Sequence, residues 1–424
     1  MTEEFLQYIW KHALFNRAVL KTTDEKPIEI VHSGLHNSDA GPDFFNAQLR
    51  ISDTLWAGNV EVHIKSSDWL KHKHQDDGAY KNVILHVVWD NDKEISLPGG
   101  FSLPSLELKN LIAPDVYRRY EELKISSKRI PCENEIHKVT QLTLYSWLDR
   151  LVAERLERKT NYISSNLEKS VNDWEETFYR LVLRTLGNPL NSEPFERLAG
   201  ALPFKIISKH RANLLQTEAL LLGQAGFLEG TFKDEYVIQL QKEYQYLRHK
   251  LNLTPMSKAE WKFMRIRPAQ FPTIRLAQLA AVVHKQEHLF REAMEADTIN
   301  DIIKLFSVKP SEYWLTHFQA DKLSSRKAGA IGKSTIEILA INAVIPTMFI
   351  YGRNTGKEEI AEKALELLHT LKPENNSIIK KWSSVGITPS DAYESQALLQ
   401  LRKEYCDLRR CVSCAIGHQL LNAK

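Results

Sequence analysis

Apolar and polar residues alternate by twos from Asn59 to Lys65, a pattern that predicts a β-strand. Successive side chains of a strand point to opposite faces, so Glu61, His63 and Lys65 share one face, while valines and an isoleucine fill the other. The apolar face can be buried against a core. The face with an acid, an imidazole and an amine is either a solvated edge or part of a functional site.

The segments around this strand predict a small mixed sheet. Amphipathic spacing indicates helices, and extended or continuously apolar runs indicate strands, of which the last is typical of a buried strand. In chain order we predict a helix, three strands, a helix and a strand, at Glu3–Leu20, Ile28–Val31, Phe44–Ile51, Asn59–Lys65, Trp69–His74 and Val83–Trp89. Residues 53–58 are expected to be a short connection, and Pro98-Gly99-Gly100 a hairpin turn.

From His137 onward, amphipathic helical patterns dominate the chain. The clearest predicted helices are Leu144–Leu167, Trp174–Leu186, Ala212–Leu222, Asp234–Leu251, Leu276–Ala296, Ile299–Phe306, Thr335–Ile350, Glu358–Leu371 and Ser390–Cys406. The expected fold class is therefore α+β, with a small mixed-sheet domain in residues 1–130 and a large helical region in residues 131–424. The helical region has a possible subdivision near residue 255.

Composition narrows the class of protein only slightly. The 424 residues are 43% hydrophobic and 26% charged, as in ordinary globular proteins, and the net charge of +3 is too small to indicate a partner. The first residues, MTEEFLQYIWKH, lack the lysines of a secretion signal, and the longest apolar run, Ile336–Tyr351, is interrupted by Glu337, Asn342 and Pro346. Four cysteines argue against a disulfide scaffold. We therefore expect a cytoplasmic protein with no membrane segment.

Two short motifs in the predicted sheet resemble the PD-(D/E)XK nuclease superfamily. Pro42-Asp43 corresponds to the PD motif at the start of one strand, and Glu61-Val62-His63 to the acid-x-lysine triplet on the next. The predicted order of helices and strands is also that of the superfamily core. The sequence departs from the motif at His63, where the superfamily has a lysine, and Lys65 is one step further along the same face.

The resemblance implies metal-dependent hydrolysis of phosphodiester bonds in DNA. Asp43 and Glu61 would hold Mg²⁺ or Mn²⁺, which prefer oxygen ligands. His63 and Lys65 would stabilise the developing charge or orient the attacking water, and His63 could instead be a third ligand. The alternative is an inactive nuclease fold that binds nucleic acid or acts as a scaffold. In that case Asp43 caps a turn and Glu61 pairs with Lys65.

Three further groups of residues are candidates for binding. Asp68 and His72 would share a helix face that excludes His74, so this cluster is interpreted as a solvated surface. A second stretch interleaves aromatic residues with Lys262, Arg265, Arg267 and Arg275, which suits nucleic-acid binding. An irregular connector held in a helical core by its aromatic residues would have the same composition.

The cysteines form the third group. Cys406, Cys411 and Cys414 have a spacing seen at iron–sulfur sites, and Cys132 completes four ligands. An iron–sulfur cluster or Zn²⁺ is the cofactor expected here, and reduced, partly buried thiols are the alternative. Some nucleases of the PD-(D/E)XK superfamily use a similar set, although there the lone cysteine precedes the nuclease motifs. Arg409 and Arg410 are expected to lower the thiol pKa values, and His418 or His137 is an alternative fourth ligand.

The chain as a whole is similar to a bacterial family known only as a domain of unknown function. The similarity rests on the segments HNSDAGPDFFNA, LWAGNVEVHIKSSDW, NVILHVVWDND, FPTIRLAQ and RCVSCAIG. They span most of the chain, and that family implies no activity of its own.

Overall fold

A computed structural model describes residues 1–97 and 100–423 of the chain. These residues form two compact units, the first made of Met1–Leu148 with the C-terminal segment from Leu401, and the second of Asp149–Gln400. The predicted α+β class, a small mixed N-terminal sheet followed by many helices, is confirmed.

The first unit is built on one mixed sheet. Its described elements are α1 (Glu3–His12), β1 (Ile28–His32), β2 (Leu35–His36), β3 (Phe44–Ile51), β4 (Thr54–Lys65), α2 (Asp68–Lys71), β5 (Val83–Asp90), β6 (Ser105–Glu107) and α3 (Pro114–Ile125). The strand order is β1-β3-β4-β5-β6, with β2 pairing on β3. Strands β1, β2 and β4 run antiparallel to β3, whereas β4, β5 and β6 are mutually parallel.

The hairpin between β3 and β4 is tighter than the sequence predicts. Ser52 adopts a left-handed conformation (φ 53°), and Ile51 already pairs with Thr54. The expected connection over residues 53–58 is therefore mostly strand. Of the turn predicted further on, Pro98 and Gly99 lie outside the described residues, and the flanking Ser96 and Ser102 form an antiparallel bridge.

One face of the sheet is buried against α1 and α3. Val60 and Val62 of β4 belong to the same apolar core as Phe5 of α1, and the Phe5 ring stacks on Tyr120 of α3 with a centroid distance of 4.0 Å. Each large apolar side chain buried in this way contributes roughly 1.5–3 kcal/mol. The valines of β4 are thus buried on one face of the sheet, and the ionisable residues of that strand lie on the opposite face.

The second unit is almost entirely helical. Helix α4 (Gln141–Lys169) enters it from the first unit. The helices that follow are α5 (Trp174–Leu186), α6 (Asn188–Ala201), α7 (Phe204–His210), α8 (Leu214–Gln224), α9 (Glu235–Leu251), α10 (Pro272–Lys285), α11 (Leu289–Met294), α12 (Ile299–Phe306), α13 (Glu312–Thr316), α14 (Lys333–Leu339), α15 (Ile345–Thr355), α16 (Glu358–Thr370), α17 (Ser377–Ser384) and α18 (Ala392–Gln400). A small hairpin, β7 (His317–Gln319) and β8 (Lys322–Leu323), interrupts them. The chain then returns to the first unit and ends in α19 (Ala415–Leu421).

One helical run in the second unit is unusually apolar. Lys333–Thr355 comprises α14, a π-helical turn at Ala340–Val344 and α15, and Pro346 near the start of α15 is accommodated there. By length and composition alone the run could cross a membrane. Most of its apolar stretch is buried within the protein, as in the core helix of a globular domain.

Two helical glycines of the second unit give a matched test of its packing. A Cβ atom on Gly223 of α8 would lie 2.1 Å from the ring of Tyr244 on α9, whereas a Cβ on Gly200 of α6 would have nothing within 4 Å. We predict that Gly223→Ala lowers the free energy of unfolding by about 1–3 kcal/mol, because two packed helices must separate. Gly200→Ala should raise it by up to about 1 kcal/mol through helix propensity. Urea unfolding measures both, and equal effects would contradict the close α8–α9 contact.

Candidate metal centre

The part of β4 from Gly58 to His63 is buried on both faces, so Glu61 and His63 are enclosed. Glu61 is 5% exposed and His63 is 2% exposed, although the alternating pattern correctly places both on the face opposite the valines. The neighbouring β5 places His86, which is fully buried, in register with Glu61. Trp69 of α2 contacts His86 edge to face and belongs to a small apolar cluster with Val83. This second face is therefore an interior, not a solvated edge.

Hydrogen bonds from backbone N–H groups connect the Asp43 and Glu61 carboxylates of neighbouring chain segments. The Asp43 N–H donates to Glu61 Oε2 (3.1 Å), and the Val62 N–H donates to Asp43 Oδ2 (3.0 Å). Gln7 of α1 donates its Nε2–H to the other Asp43 oxygen (2.8 Å). Beside this contact β3 contains an irregularity in which Asn46 is left-handed (φ 57°), a feature often found next to active sites. The two carboxylates thus have fixed positions.

Two histidines lie close to the remaining oxygen of Glu61, and a third, the exposed His72, contacts one of them. Its Oε1 lies 3.4 Å from His74 Nε2 and 3.6 Å from His63 Nε2, and His63 Nε2 lies 3.1 Å from His72 Nδ1. One ring nitrogen from each histidine lies within 4.8 Å of the others. Donor atoms that bind one ion tetrahedrally at about 2.0–2.2 Å are themselves roughly 3.3–3.6 Å apart. The separations around Glu61 Oε1 match the spacing of ligands around a shared cation.

A buried nitrogen atom of His74 also supports a shared cation at this position. His74 Nε2 is buried and has no hydrogen-bond partner, although its ring is well packed on Tyr80 with a centroid distance of 3.8 Å. Leaving such an atom unsatisfied costs about 1–3 kcal/mol. A cation held by Glu61, His63, His72 and His74 would satisfy it. Imidazole-rich sets of this kind suit transition-metal ions better than Mg²⁺.

Burial raises the pKa values of the two carboxyl groups and lowers those of two histidines in the cluster. Burial, reinforced by the charge of Asp43, raises the pKa of Glu61 to about 9. Burial also raises the pKa of Asp43 to about 6. Burial and the neighbouring histidines lower the pKa of His63 to about 3 and that of His74 to about 4. At neutral pH the imidazoles of His63 and His74 are therefore neutral, the form that binds metals.

Of the four catalytic residues predicted from the sequence, the structure brings three together. Asp43, Glu61 and His63 are adjacent, as described above. Lys65 is exposed at the end of β4. Its charge adds slightly to the hydrogen bonds from Ser67 and Ser66 that lower the pKa of Asp92. The alternative pairing of Glu61 with Lys65 is absent from the described ion pairs, because Glu61 faces the histidines instead.

Sequence reasoning missed His72, His74 and His86. It treated residues 69–74 as one helix, but α2 ends at Lys71, and a left-handed Lys73 (φ 59°) redirects the chain into a short helical turn that starts at His74. His74 therefore returns towards Glu61, and the expected solvated surface is wrong for this residue. The signal for His86 was a single histidine within the apolar run that forms β5.

The basic stretch of the second unit is only partly accessible. Lys262, Arg265 and Arg267 are exposed, but Arg275 is 5% exposed and donates to Gln278 Oε1 and Thr335 Oγ1, both at 3.0 Å. Its guanidinium therefore makes its hydrogen bonds inside the helical unit. The aromatic residues also face inward: Trp261 is buried, donates to Ala225 O and contacts the rings of Phe195 and Phe227.

The structure brings the four cysteines together in the first unit. Cys132, Cys406, Cys411 and Cys414 line one small cavity, and none of the four forms a disulfide. The expected net lowering of the thiol pKa values by the arginines is wrong, because burial has the larger effect. Burial raises the pKa of Cys132 and of Cys411 to about 12 and also raises that of Cys406, and this outweighs the lowering effect of Arg409 on Cys411.

These observations define an α+β protein with a buried carboxylate–histidine centre on its sheet and a separate cluster of four thiols. A family model described as "Protein of unknown function (DUF2851)" matches residues 3–377, so the chain belongs to this family. No curated protein and no solved structure matches the chain.

The raised pKa of Glu61 predicts a pH-dependent penalty on stability. Its folded-state pKa of about 9 lies above the ordinary value of 4.5, so the folded state binds a proton that the unfolded state releases between these values. The free energy of unfolding therefore falls as pH rises through this range. Glu61→Gln removes the titration and should raise the Tm of chelator-treated protein by a few degrees at about pH 8.5, with little change at about pH 5. A uniform effect at both pH values would show that Glu61 is not buried as described.

Proposed function

We propose that this protein is a metal-dependent phosphodiesterase that cleaves DNA, with the carboxylate–histidine centre as its active site. The observation that supports this most directly is the position of Glu61 Oε1, 3.4 and 3.6 Å from two imidazole nitrogens and beside a second carboxylate. Those separations are too long for good hydrogen bonds and suit ligands of one ion.

The sheet topology adds to this argument. After α1 come three antiparallel strands, β1, β3 and β4, and then a crossover through α2 to the parallel strand β5. This is the order that the PD-(D/E)XK resemblance implies. Asp43 lies immediately before β3 and Glu61 lies within β4, the positions of the acids in that motif.

Each residue of the centre has a role that its contacts support. A bound cation would polarise a phosphoryl oxygen and lower the pKa of a coordinated water. Glu61, His63, His72 and His74 would hold it. His63 Nδ1 lies 2.8 Å from His86 Nε2. When His63 Nδ1 donates this hydrogen bond, its Nε2 lone pair is available to the cation and the ring is held in place.

Asp43 is suited to accept a proton. Gln7 and the Val62 amide hold its carboxylate in place, and burial sets its pKa at about 6, close to neutral pH. A general base is most effective when its pKa lies near the working pH. We therefore assign Asp43 the orientation and deprotonation of the attacking water, with direct ligation as its alternative role.

The ligand atoms of the centre also indicate which metal ion would bind. Between the two ions expected from the sequence, Mn²⁺ suits an imidazole-rich set better than Mg²⁺, which prefers oxygen. The exposed cations Lys262, Arg265 and Arg267 are proposed contacts to the DNA backbone, which binds mainly through charge.

One observation favours a second candidate function. The position of the motif lysine is occupied by His63, and Lys65 is exposed on the strand end beside Asp92. A protein that retains the fold and binds nucleic acid without cutting it would have no need of that lysine. The two candidates differ in whether the centre catalyses hydrolysis.

We predict that Asp43→Ala and Glu61→Ala each reduce Mn²⁺- or Mg²⁺-dependent cleavage of DNA by at least about 10²-fold, because each removes a group that acts on the metal or the water. Lys65→Ala, the matched control on the same strand face, should keep wild-type activity. A fluorescent DNA-cleavage assay with each divalent ion measures this, with circular dichroism as the folding check. If the wild type cuts no DNA with any divalent ion, the nuclease proposal fails and binding without cleavage is preferred.

We also predict that His74→Ala weakens binding of Mn²⁺ by at least about tenfold, because it removes the nitrogen closest to Glu61 Oε1. The matched control is His137→Ala, since His137 is exposed and belongs to neither cluster. Isothermal titration calorimetry on chelator-treated protein gives both affinities. An unchanged affinity for His74→Ala would exclude the ligand set proposed above.

A further inference from the structure

The four cysteines of the chain converge from three separate segments of the first unit. Cys132 lies in the turns that follow α3, Cys406 ends the π-helical segment Leu401–Cys406, and Cys411 and Cys414 lie in the turn before α19. All four line the same cavity.

The cavity between the thiols is small and its surroundings are mostly apolar. Its volume is about 20 Å³, and its other lining residues include Leu123, Pro131 and Gly417. A volume of this size holds about one water-sized particle. Helix α19 packs directly on the cysteine turn, because a Cβ atom on Gly417 would lie 2.1 Å from the carbonyl oxygen of Cys411.

The backbone around the thiols is organised by contacts of its own. The Arg409 guanidinium donates to the carbonyl oxygens of Ser126 (2.6 Å) and Lys128 (3.0 Å), which lie on the loop that leads to Cys132. The Arg410 N–H donates to Tyr405 O (2.9 Å). The Arg409 bonds hold the loop that leads to Cys132 against the segment that carries the other three cysteines.

We propose that Cys132, Cys406, Cys411 and Cys414 bind a single thiophilic divalent ion, Zn²⁺, as a tetrathiolate site separate from the carboxylate–histidine centre. Four cysteine sulfurs are a complete tetrahedral set for Zn²⁺. The set uses every cysteine in the chain. Bound there, the ion joins the C-terminal segment to the loop after α3, and its binding energy adds to the stability of the first unit.

The size of the cavity favours one ion over a cluster. An iron–sulfur cluster uses the same four thiolates. It contains several iron and sulfide atoms, however, and would need several times the volume of one water-sized particle. Ligation displaces the thiol protons, so binding of the ion depends on pH.

The experiment measures metal content in full-length protein prepared anaerobically without a metal-affinity tag. A Glu61→Gln/His74→Ala background removes the other centre, so the ion that remains is assigned to the thiols. We expect about one zinc per chain. Cys406→Ser and Cys414→Ser should lose it and should release the C-terminal segment to limited proteolysis. Ser413→Ala, an exposed neighbour between two of the cysteines, should retain it.

Because the serine variants could fail to fold, a second measurement uses the protein with its cysteines intact. Titration with an organomercurial should release the zinc in proportion to the thiols that react, and Co²⁺ substitution should give thiolate-to-metal charge-transfer absorption. Iron with equivalent inorganic sulfide would overturn the single-ion proposal in favour of a cluster. Protein without metal that takes up neither Zn²⁺ nor Co²⁺ would overturn the site altogether. Neither result bears on the proposed DNA cleavage.

Discussion

The central constraint on the first unit is the burial of Glu61 beside another carboxylate. A carboxylate removed from water loses hydration, and the nearby Asp43 adds repulsion, so both effects raise the Glu61 pKa. The fold maintains this arrangement because β4 is central, with β3 on one side and β5 on the other, and the part of β4 around Glu61 is buried. The same burial lowers the pKa values of His63 and His74.

A purely structural role for the cluster would account poorly for its unsatisfied atoms. Buried polar groups in native proteins nearly always have partners, yet His74 Nε2 and His86 Nδ1 have none in the described structure. An apolar cluster of the same shape would avoid that cost and the titration penalty of Glu61. Local costs of this kind are typical of functional sites, where the stability of the surrounding fold holds them in place. The large apolar core on the opposite face of the sheet supplies that stability.

The sequence predicted those parts of the fold that depend on periodicity. An extended run predicted the strand Phe44–Ile51 with its bounds, and alternation predicted the face shared by Glu61 and His63. Helical spacing predicted Trp174–Leu186. The features that could not be predicted depend on the backbone conformation of single residues. The left-handed Lys73 decides that His74 meets Glu61, and the left-handed Ala13 (φ 50°) ends α1 well before its predicted end. Periodicity carries no information about such residues, because a lysine or an alanine rarely adopts this conformation.

Helix α1 links the two clusters of the first unit. Gln7 holds the Asp43 carboxylate, and the next residue, Tyr8, shares a hydrogen bond with His418 Nδ1 (2.8 Å) on α19, the helix that begins directly after Cys414. The C-terminal segment therefore supports the helix that holds one acid of the carboxylate–histidine centre. Functional groups keep accurate positions only where rigid structure supports them. A tetrathiolate ion in the C-terminal segment would add to that rigidity at a distance from the carboxylates.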